Sequence, residues 1–205
     1  MDRKELKFWL LAVFLVVLFG SGSPVNGEEE SSVPVPKLCL GKETITNLRF
    51  YVQDLVGGDN RTVWEIAKTD LTDILPSAFG LVSILDNLVT SGPGMDSGEV
   101  GRIQGIIGLS DFREKAIFML LNLVFTDGQY KGSGLCFLGR NPLQDKLREV
   151  PIVGGTGVFR MARGYAVTRT YYEDEIQQKG IIEYNVVVAH KDEGVVAEQV
   201  GKHNQ

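Results

Sequence analysis

The feature that most constrains the fold of this chain is a two-residue alternation of apolar and polar side chains, which recurs in segments separated by short glycine-containing turns. Such alternation places successive side chains on opposite faces of a β-strand. Helix signatures with capping residues are scarce. About eight strands joined by short turns predict an all-β, single-domain fold, an eight-stranded antiparallel up-and-down β-barrel. The predicted strands are residues 48–55, 62–69, 78–89, 99–110, 115–125, 129–140, 159–172 and 181–190.

The run Gly154-Gly155-Thr156-Gly157 has the composition of a phosphate-binding loop. Such a loop follows a strand and opens a helix, so that backbone amides and the helix dipole point at the anion. Here an alternating strand follows, no Lys-Ser/Thr pair is present, and Arg160 stands where the third glycine of GxGxxG would fall. The sequence therefore predicts a hairpin turn with positive-φ glycines and no nucleotide site.

Residues 1–27 have the pattern of a secretory signal peptide. Arg3, Lys4 and Lys7 precede an apolar run at 8–19, and small residues follow. The run is shorter than the roughly 20 residues of a membrane span, which disfavours the alternative of an uncleaved anchor. We expect a secreted, extracellular protein. Its predicted organisation is a signal peptide at 1–27, a flexible leader at 28–45, the β-barrel at 46–190 and a polar C-terminal tail at 191–205.

Charge and cysteine content limit the partners and cofactors of the chain. Its formal net charge of -5 at pH 7 disfavours nucleic acid and anionic membrane surfaces as partners. Cys39 and Cys136 either form one disulfide, as an oxidising compartment permits, or remain two unpaired thiols, because spacing alone does not show their distance. His190 and His203 have no metal-ligand spacing, so we expect no metal site and no cofactor.

A single N-x-S/T sequon, at Asn60-Arg61-Thr62, follows the turn at 57–59. A glycan on such a turn would be exposed to solvent. An unused sequon is the alternative, and the secretory context favours glycosylation of Asn60.

The segment REVPIVGGTGVFRMARGYAV, at 148–167, resembles the signature region of plant dirigent proteins. The resemblance continues through FYVQDLVGG at 50–58, GRIQGIIGLS at 101–110, LVFTDGQYKGSGL at 123–135 and IEYNVVVAH at 182–190. It implies a secreted, glycosylated, eight-stranded antiparallel barrel of the plant apoplast that assembles into homo-oligomers, most often trimers. It also implies the activity of such proteins, which have no oxidative centre. They bind phenoxy radicals made by a separate laccase or peroxidase and direct their coupling to one stereoisomer, while relatives act on quinone methides.

Asp54 ends an otherwise apolar face that alternation assigns to Leu48, Phe50 and Val52. A carboxylate there lies either at a solvated rim or inside the barrel with a raised pKa, where it can give or take a proton. The resemblance favours the interior, because the pocket acid of dirigent proteins falls at this position. Its implied role is to protonate or hydrogen-bond a quinone methide oxygen or a substrate phenol.

Three further positions are candidates for binding or chemistry. Arg148 matches an arginine of the dirigent pocket, and the alternative is a surface charge beside Lys146 and Glu149. Arg102 and Gln104 share one strand face and are predicted to orient substrate. The alternative for Arg102 is a structural ion pair between strands.

The chain departs from lignan-forming members of the family at three pocket positions. Asn141 stands where some of them carry a second aspartate, and Ile107 and Leu109 replace aromatic residues. We predict that all three contact substrate in a pocket that is more aliphatic and less acidic than theirs. The substrate and the handedness of the product do not follow from these residues.

Three functions are compatible with the sequence. The favoured one is a dirigent protein without oxidative activity of its own, which directs coupling of phenoxy radicals to optically active products such as lignans. The second is a standalone dehydratase or cyclase acting on a quinone methide or another small hydrophobic intermediate. The third is a lipocalin-like carrier that holds a ligand without changing it. Asp54 inside the cavity would favour the first two, and dependence on an added oxidant separates these from each other.

We expect the secreted chain to begin between residues 21 and 28 and to carry one glycan, on Asn60. Mass spectrometry of the protein secreted from a plant host, before and after deglycosylation, measures both. Retention of residues 8–19 or an unmodified Asn60 would contradict the prediction.

Overall fold

A computed structural model describes residues 42–191 and shows nine antiparallel strands. Two 3-10 helices of three residues, Gly128–Tyr130 and Gly157–Phe159, lie before β6 and β8. None of the described residues forms a helix that is long and apolar enough to span a membrane. The strands are β1 (Glu43–Leu55), β2 (Val63–Ala67), β3 (Val82–Thr90), β4 (Glu99–Leu109), β5 (Ala116–Phe125), β6 (Gly134–Pro142), β7 (Arg148–Thr156), β8 (Arg163–Asp174) and β9 (Lys179–Lys191).

The sheet closes through β1, which hydrogen-bonds on both of its edges. One edge pairs with β9 from Glu43↔Lys191 to Leu55↔Lys179, and the other pairs with β3 around Val52↔Val89. Every strand from β3 to β9 pairs with its neighbour in sequence, as in an up-and-down barrel. The short β2 pairs only with the first half of β3 and lies beside the closed sheet. The predicted eight-stranded antiparallel barrel is confirmed, with β2 as an additional strand.

The glycine run differs from the prediction of a hairpin turn. Gly154 and Gly155 belong to β7, a strand that the alternation did not reveal, and only Gly157 has a positive φ, of 60°. A side chain at Gly155 would lie 2.6 Å from the carbonyl oxygens of both Gly134 and Phe159. Close backbone approach, rather than turn geometry, therefore requires this glycine. The prediction was wrong because glycines in a tightly packed strand and glycines in a turn look alike in sequence.

One end of the barrel is closed by aromatic side chains that pack against one another in tilted and edge-to-face arrangements. Phe159 is fully buried, and its ring centroid lies 5.5 Å from that of Phe125, 5.0 Å from Tyr130 and 5.2 Å from His190. Burying a phenylalanine stabilises a fold by roughly 1.5–3 kcal/mol. Because this plug fills one end, the interior remains open only towards the other, where β1 ends and β7 begins.

The outer surface carries a row of apolar side chains that crosses five strands. Their register places them directly opposite one another, so they share one face. About half of the surface of Trp64 (49%), Ile84 (46%), Leu120 (52%) and Leu138 (48%) is exposed. We call this set the outer apolar row: Trp64, Ile84, Ile106, Leu120 and Leu138.

The outer face of β9 differs from what its apolar composition suggests. Glu183 on this face is only 2% exposed, because Arg49 and Arg169 cover it. The Arg49 Nε lies 2.7 Å from Glu183 Oε1, and the Arg169 Nε donates to Oε2 at 2.5 Å. Burial raises the pKa of Glu183, but the hydrogen bonds from Arg169 and Asn185 and both positive charges together lower it. The apolar composition of 181–189 therefore does not give β9 a continuous apolar outer face, and β2–β6 carry such a face instead.

Candidate functional site

The open half of the barrel contains a cavity of about 640 Å³. This volume lies within the range of about 300–1,000 Å³ that is usual for small-molecule sites. The cavity is bordered by residues of all nine strands, together with the turn between β8 and β9. Its walls are mainly aliphatic, as predicted from the replacement of aromatic residues by Ile107 and Leu109, both of which line it. The other aliphatic wall residues are Val52, Val63, Leu85, Ile103, Ile117, Leu121 and Ile182.

Asp54 lies on β1 and borders this cavity, beside Val52 on the same face. Its surface is half-buried because one side of the carboxyl group faces the cavity while protein atoms surround the rest. Burial raises the pKa of Asp54, and a hydrogen bond from Asn87 opposes this effect. The structure thus places Asp54 inside the barrel rather than on a solvated rim.

Asn87 and Thr62 support Asp54, and the sequence analysis missed both. Asn87 Nδ2 donates to Asp54 Oδ1 at 2.9 Å, and Thr62 Oγ1 donates to Asn87 Oδ1 at 2.5 Å. Asn87 is 2% exposed and lies on β3, which pairs with β1 near Asp54 only because the barrel closes. The sequence feature that could have identified Asn87 is its polar side chain on the otherwise apolar face of an alternating strand.

Arg148 borders the cavity from the start of β7 and is only 4% exposed. Its guanidinium donates to the carbonyl oxygen of Leu143 at 3.2 Å and to the hydroxyl of Thr170 at 3.1 Å. Within residues 42–191, no carboxylate oxygen lies within 4.0 Å of it, and burial lowers its pKa from the ordinary arginine value. The alternative of a surface charge beside Lys146 and Glu149 does not hold.

Tyr184, on β9, is the third polar group of the interior and was not predicted. Its ring stacks on Phe50 with centroids 5.3 Å apart, and it is 3% exposed while lining the cavity. Burial raises the pKa of Tyr184; the charge of Asp54 adds to the increase and that of Arg148 opposes it. The phenol therefore stays protonated at neutral pH and can donate a hydrogen bond. Its position on the inward face of an alternating strand was the signal for it.

Asn141 lies in the cavity wall on β6, as predicted, and is 5% exposed. Its Nδ2 lies 3.2 Å from the sulfur of Met119, and its Oδ1 is buried without a hydrogen-bond partner. Unlike an aspartate, this amide has no titratable proton. Among the described residues that line the cavity, the remaining carboxyl groups belong to the mouth segment 173–175.

Arg102 and Gln104 do not line the cavity. They border a shallow depression on the outside of the barrel together with Trp64 and Ile84. Arg102 Nε donates to Asp86 Oδ1 at 2.6 Å. Arg102 therefore forms the structural ion pair between strands that was the alternative to substrate binding. The strand face that carries both residues points outward, so their predicted contact with substrate in the interior does not occur.

The remaining predicted positions lie away from the cavity. Asn60 is exposed in the connection between β1 and β2. Cys136 is half-buried on β6, and its predicted disulfide partner Cys39 lies outside the described residues, as do the signal peptide and most of the leader and tail. Over the same 42–191 range, no group of three or more His, Cys, Asp or Glu side chains is placed to hold a metal ion.

Together, these groups equip an aliphatic cavity for proton transfer and hydrogen bonding to oxygen atoms. Asp54 is an acid whose raised pKa favours its protonated form. Arg148 brings a positive charge without a paired carboxylate, and Tyr184 brings a neutral donor. A small apolar ligand with one or more phenolic or carbonyl oxygens matches this arrangement.

Comparison with known proteins agrees with this fold. Residues 45–189 match the family model for dirigent-like proteins. Dirigent protein 21 of Arabidopsis thaliana is 36% identical over 181 residues, which cover 88% of this chain and 96% of that protein. Pterocarpan synthase 1 of Glycine max is 40% identical over 171 residues, 82% of this chain and 91% of that protein. The solved structure of a pterocarpan synthase dirigent protein matches with a TM-score of 0.67 at 34% identity, covering 80% of this chain and 90% of its own.

The matched segment begins within β1 and ends within β9, so it includes residues of all nine strands and the cavity residues Asp54, Arg148 and Tyr184. The solved relative confirms the barrel independently of the strand pattern. On both grounds, the chain belongs to the dirigent-like protein family.

Proposed function

We propose that this protein binds a phenolic intermediate in its cavity and controls the stereochemistry of the reaction that follows. The observation that carries the proposal is the presence of Asp54 and Arg148 in one aliphatic cavity of a dirigent-like barrel. The aliphatic walls hold the rings in one orientation by shape, and the polar groups fix the position of the oxygens. A carrier without chemistry has no need for an acid with a raised pKa, because burying such a group destabilises the fold.

In its favoured form, the reaction is the coupling of two phenoxy radicals supplied by a separate laccase or peroxidase. Each radical contributes one electron to the new bond, so no further oxidant is needed inside the barrel. The coupled product carries quinone methide oxygens that must gain protons as the rings close. Asp54 supplies such a proton to the quinone methide oxygen and regains one from the hydroxyl group that attacks the quinone methide carbon, and Arg148 stabilises negative charge on a phenolic oxygen. Optically active products such as lignans would result.

A second form, closure of a quinone methide without an oxidant, is supported by Asp54, which among the described residues is the acid of the cavity outside the mouth segment 173–175. Asp54 gives its proton to a departing hydroxyl group, which leaves as water, and the phenol proton of the substrate restores the acid. A second phenol oxygen then attacks the quinone methide, and its proton moves to the quinone methide oxygen. The net change is the loss of one water molecule. Relatives of this chain named pterocarpan synthases motivate this alternative.

Secretion and glycosylation are part of the proposal. Oxidases that generate phenoxy radicals in the apoplast would then share a compartment with the barrel. The exposed position of Asn60 between β1 and β2 supports glycosylation there, because a glycan would point into solvent.

We also propose a homo-oligomer, most simply a trimer. The outer apolar row exposes a continuous apolar surface, which in a soluble protein is commonly buried against another copy. A closed ring of three copies would cover this row without obstructing the mouth, which lies at the end of the barrel.

The first prediction concerns dependence on an oxidant. In a laccase reaction on a panel of phenols, the protein should change the enantiomeric ratio of at least one coupled product without accelerating phenol consumption. Chiral chromatography of the products measures the ratio, and heat-denatured protein is the control. Substrate conversion without any oxidant would instead support the dehydratase or cyclase. Racemic products and no conversion under both conditions would contradict the proposed function.

The second prediction concerns Asp54→Asn, which keeps the shape of the side chain but removes its acid. Stereocontrol or turnover should fall by about 10²–10⁴-fold, the usual contribution of a positioned acid or base. The raised pKa also makes the folded state bind protons more tightly than the unfolded state. Wild-type stability should therefore fall, relative to the variant, as pH rises from the ordinary aspartate value of about 3.9 through the raised pKa.

Melting temperatures of the two proteins between pH 4 and 8 measure this difference, which should grow with pH in favour of the variant. Asp96→Asn, in an exposed loop at the other end of the barrel, is the matched control and should change neither property. An Asp54→Asn variant with full activity would show that the carboxyl group takes no part in the reaction.

The third prediction concerns assembly. Leu120→Glu, at the centre of the outer apolar row, should convert the oligomer to a monomer, because a charge there would be buried in the interface. Asn185→Glu, on the exposed outer face of β9, should leave the oligomer intact. Light scattering at micromolar concentration measures the mass of each. A monomeric wild-type protein would contradict the proposal.

A further inference from the structure

We infer that Asn87, held in place by Thr62, is a positioning residue that occupies Oδ1 of Asp54 and leaves Oδ2 as the oxygen presented to the bound ligand. The inference deepens the proposed function, because it names the residues that set the direction of proton transfer. The hydrogen bonds on which it depends are nevertheless present in the protein without any ligand.

The orientation of the Asn87 amide follows from the partners of Thr62. The backbone N–H of Leu55 donates to Thr62 Oγ1 at 3.3 Å. The hydroxyl then has its hydrogen available, and it donates this hydrogen to Asn87 Oδ1 at 2.5 Å. With Oδ1 accepting, the amide nitrogen is directed to the other side, where it donates to Asp54 Oδ1 at 2.9 Å. The reversed amide would leave the hydroxyl hydrogen of Thr62 without an acceptor, which is unfavourable for so buried a pair.

An oxygen that accepts a hydrogen bond from an amide is the less favourable site for the proton, because protonation makes it a weaker acceptor and so weakens that bond. The proton of the neutral acid therefore resides on Oδ2. Oδ2 lies near Gly180, where a side chain carbon would be 4.0 Å away, and it has no hydrogen-bond partner among residues 42–191. Asp54 borders the cavity, so this free oxygen is the one that can reach a ligand.

The other ionisable groups around Asp54 do not replace this arrangement. None of them forms a hydrogen bond or ion pair with Asp54 within the described part of the chain. Their charges act on the acid only across the cavity, whereas Asn87 contacts it directly. The ionisable side chains that line the same cavity are Lys115 just before β5, Arg148 on β7, Glu173 and Asp174 on β8, Glu175 in the following turn, and Lys179 and Tyr184 on β9.

Thr62 is also the third residue of the glycosylation sequon Asn60-Arg61-Thr62. The Thr62 hydroxyl thus has two separate roles. It is part of the sequon that is recognised in the unfolded chain during secretion, and it supports Asn87 in the folded barrel. Substitutions at residues 60 and 62 would both remove a glycan, but only the change at 62 would disturb Asp54. This difference provides a matched pair of variants for a test.

The test is a pH titration of the Asp54 carboxyl group, monitored by carbon-13 NMR of protein labelled in its aspartate side chains. The Asp54→Asn variant identifies which signal belongs to Asp54. Asn87→Leu should raise the pKa of Asp54, because it removes the donor that stabilises the carboxylate. Thr62→Val should raise it in the same direction, whereas Thr62→Ser and Asn60→Gln should leave it unchanged. The ratio of stereoisomers formed should fall about tenfold with Asn87→Leu. Any other variant that lacks the amide at position 87 should show the same loss.

Melting temperatures of all variants separate loss of fold from loss of position. If Asn87→Leu does not fold, the comparison of Thr62→Val with Thr62→Ser carries the test alone. An unchanged Asp54 pKa in a folded Asn87→Leu or Thr62→Val variant would overturn the inference, as would an equal change in Asn60→Gln. A raised pKa together with unchanged products would retain the positioning role and contradict the proposed use of Asp54.

Discussion

The structure depends on the pairing of β1 with strands on both of its edges. All 13 residues of β1 pair with β9, and residues 51–53 also pair with β3. Side chains alternate across a strand, so a shift of one residue in this register would exchange Phe50, Val52 and Asp54 with Arg49, Tyr51 and Gln53. The same register that closes the barrel therefore sets which carboxyl group enters its interior.

Two carboxyl groups of the barrel, those of Glu183 and Asp54, lie in opposite electrostatic environments. Glu183 on the outside is covered by two arginines, which lower its pKa and keep it ionised in the folded state. Asp54 on the inside has one amide donor and no direct cation, so burial raises its pKa. Compensation of this kind indicates a structural role for Glu183. The missing compensation at Asp54 is what a proton donor requires.

One end of the barrel contributes mainly to stability, and the other end contains the candidate functional site. The aromatic plug around Phe159 packs one end, where His190 is a buried polar side chain in contact with it. At the other end, the same strands leave a cavity of about 640 Å³ with Asp54, Arg148 and Tyr184 in its walls. Because the plug supplies packing energy elsewhere, the open end can retain polar groups whose burial is unfavourable. Substrate specificity then depends on aliphatic shape and on a few oxygen contacts.

The sequence by itself determined the antiparallel barrel class and most of its strands, because alternation is a local property that a strand retains in any context, although β7 was missed. The family followed from the resemblance of whole motifs and not from alternation. The resemblance to dirigent proteins pointed to Asp54, Arg148, Ile107, Leu109 and Asn141 as pocket residues, and for Asp54 the alternation of β1 contributed as well. The prediction for Arg102 and Gln104 was wrong, because alternation shows that two residues share a face but not which face is inward.

Only the tertiary structure decided which face of each strand points inward and which residues meet across the closure. Asn87 and Thr62 lie 33 and 8 residues from Asp54 in sequence, and no local pattern brings the three together. Likewise, the sequence suggests a turn at Gly155, and only the positions of the neighbouring backbones show why a glycine is required in this strand. The physical reason is that hydrogen-bond direction and close packing arise between strands, whereas periodicity arises within one.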